Sequence, residues 1–222
     1  MMDRLETARV LILTPSLYRC GPMNDVLRLC RQYAADGFRP LVAQISAPPA
    51  DPLEDEFHDI GVETITFGGW RWNMAVHLAR LREIVRLEKI EIVHSVSLRP
   101  DLLNAALRSL SRNFTALSTA LNIAVHDTSA LVGRIPGRAA AALWLAAFGR
   151  MDAVAAHSRG IFDYLAGEGL SPEKLSVIPN GVDTEHFAPQ PQAQKSETRR
   201  SLGLADNDFV FGFVGNFLPV KG

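Results

Sequence analysis

The side chains able to do chemistry collect in short stretches that each follow an apolar run. His94, Ser95, Ser97, Arg99 and Asp101 come after Glu91-Ile92-Val93. Asn122, His126, Asp127 and Thr128 come after the run that begins at Thr115. His157 and Ser158 come after Asp152–Ala156. A further stretch, Ser16 to Asn24, holds Tyr18, Arg19, Cys20, Gly21 and Pro22. An imidazole beside a carboxylate, as in His126-Asp127, can shuttle a proton, but adjacent residues seldom face the same way. Each histidine taken alone reads first as a hydrogen-bonded structural residue. A glycine ahead of a helix, here Gly21, lets a phosphate approach backbone N–H groups; a plain tight turn is the other reading. Ser158 reads as a helix cap, since no Gly-x-Ser-x-Gly surrounds it. No Gly-x-Gly-x-x-Gly and no Gly-x4-Gly-Lys-Ser/Thr occurs, which argues against nicotinamide or flavin dinucleotides and excludes a P-loop. No histidine spacing suits zinc. Cys20 and Cys30 lie outside any Cys-x-x-Cys and read as plain thiols.

The elements that must position these groups alternate between strand and helix. Strands are expected at Arg9–Thr14, Pro40–Ile45, Val62–Phe67, Glu91–His94, Thr115–Ile123, Asp152–Ala156 and Lys174–Ile178. Between them lie a helix capped by Asn24 with Asp25 in its first turn, a basic helix around Leu78, Leu81 and Val85, and a helix over Asp101–Leu110. Ala139–Phe148 reads as a buried helix, and a further helix follows Ser158. Arg9–Thr14 is apolar on both faces, as in a parallel sheet covered on both sides. The alternation predicts an α/β fold with a doubly wound parallel sheet, in which ligands bind beyond the carboxyl ends of the strands. That rule places the stretches above along one edge.

After Pro179-Asn180-Gly181 the pattern changes. Pro189–Lys195 reads as a linker, Glu197–Leu202 as a short helix and Phe209–Val214 as a strand with no partner of its own. The expected division is an N-terminal domain over 1–188 and the start of a second over 189–222.

Composition sets outer limits. The chain has 222 residues, 47% of them hydrophobic, 21% charged, with a net charge of −1. That excludes a wholly disordered chain, and the charge gives no hint of nucleic acid. The longest apolar run, Ala139–Phe148, is far short of the roughly 20 residues of a spanning helix. No signal peptide is visible, and two cysteines form no disulfide framework, so the expected compartment is the cytoplasm. Arg71, Arg80, Arg82, Arg86 and Lys89 crowd one helical stretch. Contact with anionic lipid headgroups is its functional reading. A solvated face is the other, with Glu83, Glu88 and Glu91 offsetting the charge.

At Val177-Ile178-Pro179-Asn180-Gly181-Val182-Asp183-Thr184-Glu185-His186-Phe187 the sequence resembles the hinge segment of the family 4 retaining glycosyltransferases, which have the GT-B fold. Gly21-Pro22-Met23-Asn24 resembles the loop after that family's first strand. Ile92-Val93-His94-Ser95 with Leu98–Leu103 resembles its fourth-strand segment, and Ala153–Ser158 its "Val-x-Ala-x-Ser" strand. Val214-Gly215-Asn216 through Lys221-Gly222 resembles the "Val-Gly-Arg-x-x-x-x-Lys-Gly" that opens its donor domain. The resemblance covers essentially the whole chain.

The resemblance implies a Rossmann-like N-terminal domain that holds an acceptor and a second domain that holds a nucleotide-sugar. Gly21, Pro22 and Asn24 would form the loop at the diphosphate. His94, Arg99 and Asn122 would lie on the acceptor side, with His94, His126 and Asp127 as candidate catalytic groups. Gly215, Asn216 and Lys221 would bind donor. Lys221 matches a cation that stabilises the leaving diphosphate, so no metal or other cofactor is expected. Two positions depart from the pattern: Asn216 replaces an Arg whose charge an amide cannot supply, and Leu121 stands where the family has a His. The Glu-x7-Glu motif that the family carries further along its donor domain would fall beyond residue 222, so a fragment or truncated gene is expected, inactive by itself. The expected partners are a nucleotide-sugar, a glycan or lipid-linked acceptor and a missing donor domain, with peripheral contact at the inner face of the membrane. The alternatives are a non-catalytic glycan-binding or interaction domain and a GT-B sugar-nucleotide epimerase.

Overall fold

The computed structural model describes residues 8–68, 73–185 and 187–214. Arg71, Gly215, Asn216 and Lys221 lie outside them. The chain forms two compact units, Met1–Asn180 and Gly181–Gly222, divided at 180/181 where the sequence suggests 188/189.

The first unit is built on a seven-stranded sheet in the order β3-β2-β1-β4-β5-β6-β7. Its strands are β1 (Arg9–Thr14), β2 (Arg39–Gln44), β3 (Glu63–Thr66), β4 (Ile92–Val96), β5 (Thr115–Ala120), β6 (Ala153–Ala156) and β7 (Leu175–Val177). Every pairing is parallel. The helices are α1 (Gly21–Ala35), α2 (Glu54–Asp59), α3 (Met74–Leu87), α4 (Leu98–Leu110), α5 (Ala124–Val132), α6 (Arg134–Arg150) and α7 (Arg159–Gly167). Alternate residues of each strand feed opposite cores. Val10, Ile12 and Val42 pack with Val26, Leu27 and Cys30 of α1 and Phe57 of α2. Leu11, Leu13 and Val93 pack with Leu81, Leu103, Trp144, Phe148 and Leu165 from α3, α4, α6 and α7. Right-handed crossovers explain the sides: the chain winds one way from β1 to β3, then crosses to β4 and winds outward the other way.

Several element ends differ from expectation. α1 begins at Gly21, so Cys20, not Asn24, is the N-cap, and its side chain makes no cap bond. Pro22 occupies the first turn, where a missing N–H is harmless, and the Asn24 N–H is already bonded to the Cys20 carbonyl at 3.0 Å. Gly37 takes φ 84° just after this helix, a conformation only glycine adopts cheaply. β4 runs on to Val96 because both neighbours pair with it there: Leu13 lies opposite Ser95, and Val96 opposite Thr119. α4 therefore starts at Leu98, not Asp101, and β5 ends at Ala120, not Ile123.

Two helices are absent from the sequence reading: the short, acidic α2 and the α5 arm, which folds back on a longer α6. The α5–α6 crossing is close, since a Cβ on Gly137 would meet the Ser129 backbone at 2.5 Å. The Thr128 hydroxyl ties the pair by donating to the Gly137 carbonyl at 2.7 Å.

In the second unit, α8 (Gln192–Ser201) occupies much of the expected linker and ends before Leu202. Phe209–Val214 forms no strand. No other strand of this unit among the described residues offers it a ladder, which is what a strand requires.

A buried polar cluster fastens the centre of the first unit. Asp101, fully buried, accepts from Ser95 Oγ at 2.6 Å, Ser118 Oγ at 2.7 Å and Trp144 Nε1 at 2.7 Å. Asn104 donates to Ser95 Oγ at 3.0 Å and to the Val93 and Leu117 carbonyls at 3.1 and 3.0 Å. One carboxylate thus joins α4, β4, β5 and α6. Burial pushes Asp101 up to about 7 against the pull of its three donors.

Candidate functional site: the carboxyl rim of the sheet

The carboxyl ends of β1, β2, β4, β5 and β6 open on one rim, where α1, α4, α5 and α7 begin. Helix N-termini carry unsatisfied N–H groups and a partial positive charge, so this rim favours an anion.

The loop after β1 is anchored from below. Gln44, fully buried at the end of β2, accepts from the Leu17 N–H at 3.0 Å and donates to Thr66 Oγ1 at 2.9 Å and to Glu54 Oε1. Arg19 pairs with Asp51 at 2.8 Å and Glu56 at 2.5 Å. These bonds hold the chain leading into α1. Gly21 and Asn24 are exposed there and Pro22 half-buried. A Cβ on Gly21 would meet nothing within 4 Å, so the structure leaves open space above this first turn.

Arg99, in the first turn of α4, reaches toward β2 and donates to Ser46 Oγ at 2.9 Å. β1 lies between β2 and β4 in the sheet, so the guanidinium bridges the carboxyl end of β1, next to the loop that carries Gly21. Ser97, which caps α4, has φ 83° and ψ 162°, a region almost reserved for glycine. Strain of this kind concentrates at functional sites, and sequence gives no sign of it. Just after β6, His157 is half-buried; burial lowers its pKa, and the charge of Asp25 on α1 opposes that fall. The N-terminal part of α1 and the end of β6 thus share the rim.

The proposed acid/base groups do not assemble. His94 lies within β4, not after it, and is 7% exposed. Its Nε2 meets Thr119 Oγ1 at 2.7 Å, while its buried Nδ1 has no partner among the described residues. Burial alone brings its pKa down to about 4, so the ring is neutral at neutral pH and a poor base. His126 is exposed in the first turn of α5, and Asp127 instead accepts from Asn122 Nδ2 at 2.9 Å. Neighbours on a helix project about 100° apart, which separates this pair. No group of three His, Cys, Asp or Glu side chains able to hold a metal occurs among the described residues. Asp101 belongs to the core, and Ser158 caps α7 by accepting from the Ile161 N–H at 3.2 Å. Gln44 and Asn104 were missed, although each is a lone polar residue in an apolar stretch.

The basic helix α3 is less free than its sequence suggests. Arg80, although exposed, donates to the Phe67 carbonyl and lies 5.8 Å over the Phe67 ring. No helix among the described residues is long and apolar enough to cross a membrane.

Comparison with known proteins agrees with the fold. The sequence profile of Glycosyltransferase Family 4 matches residues 24–186. The chain is 28% identical, over 82% of its length, to the UDP-Gal:alpha-D-GlcNAc-diphosphoundecaprenol alpha-1,3-galactosyltransferase of Escherichia coli, of which the match covers 46%. A 60-residue stretch, 27% of the chain and 14% of the relative, is 43% identical to the D-inositol 3-phosphate glycosyltransferase of Actinosynnema mirum. In fold it is similar to Anabaena Alr3699/HepE, solved in complex with UDP: TM-score 0.69 and 16% identity, over 88% of this chain and 50% of that one. The chain thus spans about half the length of the Escherichia coli and Anabaena proteins. Its parallel sheet has the Rossmann-like α/β fold found in GT-B structures, and the chain belongs to glycosyltransferase family 4.

Proposed function

We propose that residues 1–188 are the acceptor-binding half of a retaining glycosyltransferase that moves a hexose from a nucleotide diphosphate sugar to a glycan or lipid-linked acceptor. The observation that carries the reading is the similarity, over 82% of the chain, to a galactosyltransferase named for a diphosphoundecaprenol-linked sugar substrate. The rim suits such a ligand. The exposed first turn of α1 at Gly21, Pro22 and Asn24 faces phosphate, and Arg99 adds a fixed cation beside it. Asn122 supplies an amide for sugar hydroxyls. His94 acts as a neutral imidazole within the acceptor wall. His126 and Asp127 serve as surface polar groups, and no general base is assigned among them. Gly215, Asn216 and Lys221 take the donor diphosphate, with Lys221 supplying charge to the leaving group, and the reading invokes no metal. The protein works in the cytoplasm at the inner face of the membrane, and the 222 residues alone transfer nothing.

The test is hexose transfer from a UDP-sugar to polyprenyl-diphosphate-linked N-acetylglucosamine, with this chain joined to the donor domain of the Escherichia coli relative. Transfer abolished by Lys221→Ala supports the reading. Acceptor binding with no turnover favours a non-catalytic binding domain, the reading to which Asn216 and Leu121 point.

A further inference from the structure

α6 presents an unusual outer face. A helix against a sheet ordinarily turns charged and polar residues of both signs to solvent. The 17 residues of α6, RIPGRAAAALWLAAFGR, contain no acidic side chain. Gly137, Trp144 and Phe148 face inward and are buried. At about 100° per residue, the opposite side carries Ile135, 84% exposed, and Leu143, 62% exposed, with alanines between them. Val132, 54% exposed, continues this surface onto the α5–α6 turn. Arg134 and Arg138 flank it and have no ion-pair or hydrogen-bond partner among the described residues. An acid does lie near the far end: Glu168 lines a groove with Ala146 and Gly149. The turn end is therefore the more cationic one.

We infer that the outer face of α6 with the α5–α6 turn docks on an anionic lipid bilayer. The apolar ridge of Val132, Ile135 and Leu143 would enter the interface, with Arg134 and Arg138 against headgroup phosphates. Charge selects this occupant: at its turn end the apolar face is edged by Arg134 and Arg138, with Glu168 only at the far end, so it complements anionic lipid and repels a second copy of itself. The same criterion disfavours α3, where Glu83 interrupts the face and Arg80 is committed to Phe67. The inference rests on the lipid-linked acceptor reading and deepens it. α5 starts at the carboxyl rim, so a bilayer held by the α5–α6 arm keeps lipid-borne substrate close to the site.

The experiment is flotation of the 222-residue chain with vesicles of phosphatidylcholine alone or with about 30% phosphatidylglycerol. Binding only to the anionic vesicles, lost as salt rises from about 0.05 to 0.5 M, is expected. Each arginine near an anionic surface contributes about fivefold, so Arg134→Gln with Arg138→Gln lowers partitioning about thirtyfold. Ile135→Asp with Leu143→Asp abolishes it, while Arg82→Gln with Arg86→Gln changes it less than about twofold. All these side chains are exposed, and an unchanged unfolding midpoint verifies each variant's fold. No flotation of the wild type, loss through the α3 pair but not the α6 pair, or a dimer that Ile135→Asp dissolves would each overturn the inference. A parallel titration with a polyprenyl-diphosphate sugar in detergent micelles separates the two levels: binding there without flotation removes the docking face and leaves the acceptor reading standing.

Discussion

Trp144 Nε1 donates to Asp101 Oδ2 at 2.7 Å, joining α6 to α4 through the core. Without this bond Oδ2 would be a buried acceptor with no donor, a cost of about 1–3 kcal/mol. Trp144→Phe keeps the stack on Phe148, whose ring lies 5.7 Å away, and removes only the donor. A loss of about 2 kcal/mol in urea unfolding is expected.

The same carboxyl gives stability a pH slope. Asp101 ionises at about 7 in the fold, against about 4 for an unfolded aspartate. Between those values the folded state holds a proton that the unfolded state has released. The Asp101 contribution to unfolding free energy therefore falls as pH rises from about 4 to 7, by an amount on the order of a few kcal/mol, while neutral, buried His94, whose pKa is down to about 4 in the fold against about 6.5 unfolded, contributes a rise over much of the same range. At Asp152 burial raises the pKa, but the Arg108 and Ala116 hydrogen bonds and the charges of Arg108 and Lys174 bring it below the ordinary value, so its loss begins only as pH falls toward 4 and below. In Asp101→Asn the falling contribution is removed and the rise from His94 is left. A difference between wild type and variant that stays flat from pH 4.5 to 7 contradicts the assignment.

Ser97 is strained at φ 83° and ψ 162°. Relief of about 1–3 kcal/mol, less about 0.5–1 kcal/mol for the added freedom of the unfolded chain, leaves Ser97→Gly about 1 kcal/mol more stable. Chemical denaturation gives the sign directly, and a less stable variant rejects the strain.

Gly137→Ala should act in the opposite direction. Its Cβ would fall 2.5 Å from Ser129 Cα and 2.6 Å from Ser129 N, both backbone atoms. Separation of α5 from α6 costs about 1–3 kcal/mol, as overpacking does. A midpoint equal to wild type would mean that the two helices can part freely.

These sites show why sequence revealed some features and hid others. β1 was legible because Val10 to Leu13 are apolar on both faces, and Ser158 because a cap is a local bond. α5 was hidden, since His126, Asp127 and Thr128 look like a polar loop. What makes them helical is a contact nine residues away, the Thr128 hydroxyl on the Gly137 carbonyl. The rim could be located from topology, yet its wiring could not. Arg99 finds Ser46 across 53 residues, and His94 finds Thr119 across 25. Strain at Ser97 leaves no trace in residue type.

Mapping of the acceptor site tests the central claim most directly. Backbone amide shifts of the 222-residue chain would be followed during titration with a polyprenyl-diphosphate-linked sugar in micelles. The account predicts saturable shifts at Gly21, Asn24, Arg99 and Asn122, with affinity about tenfold weaker in Arg99→Ala, the loss expected for one charge-assisted hydrogen bond. Shifts confined to the opposite edge of the sheet, or none at saturating ligand, would contradict it.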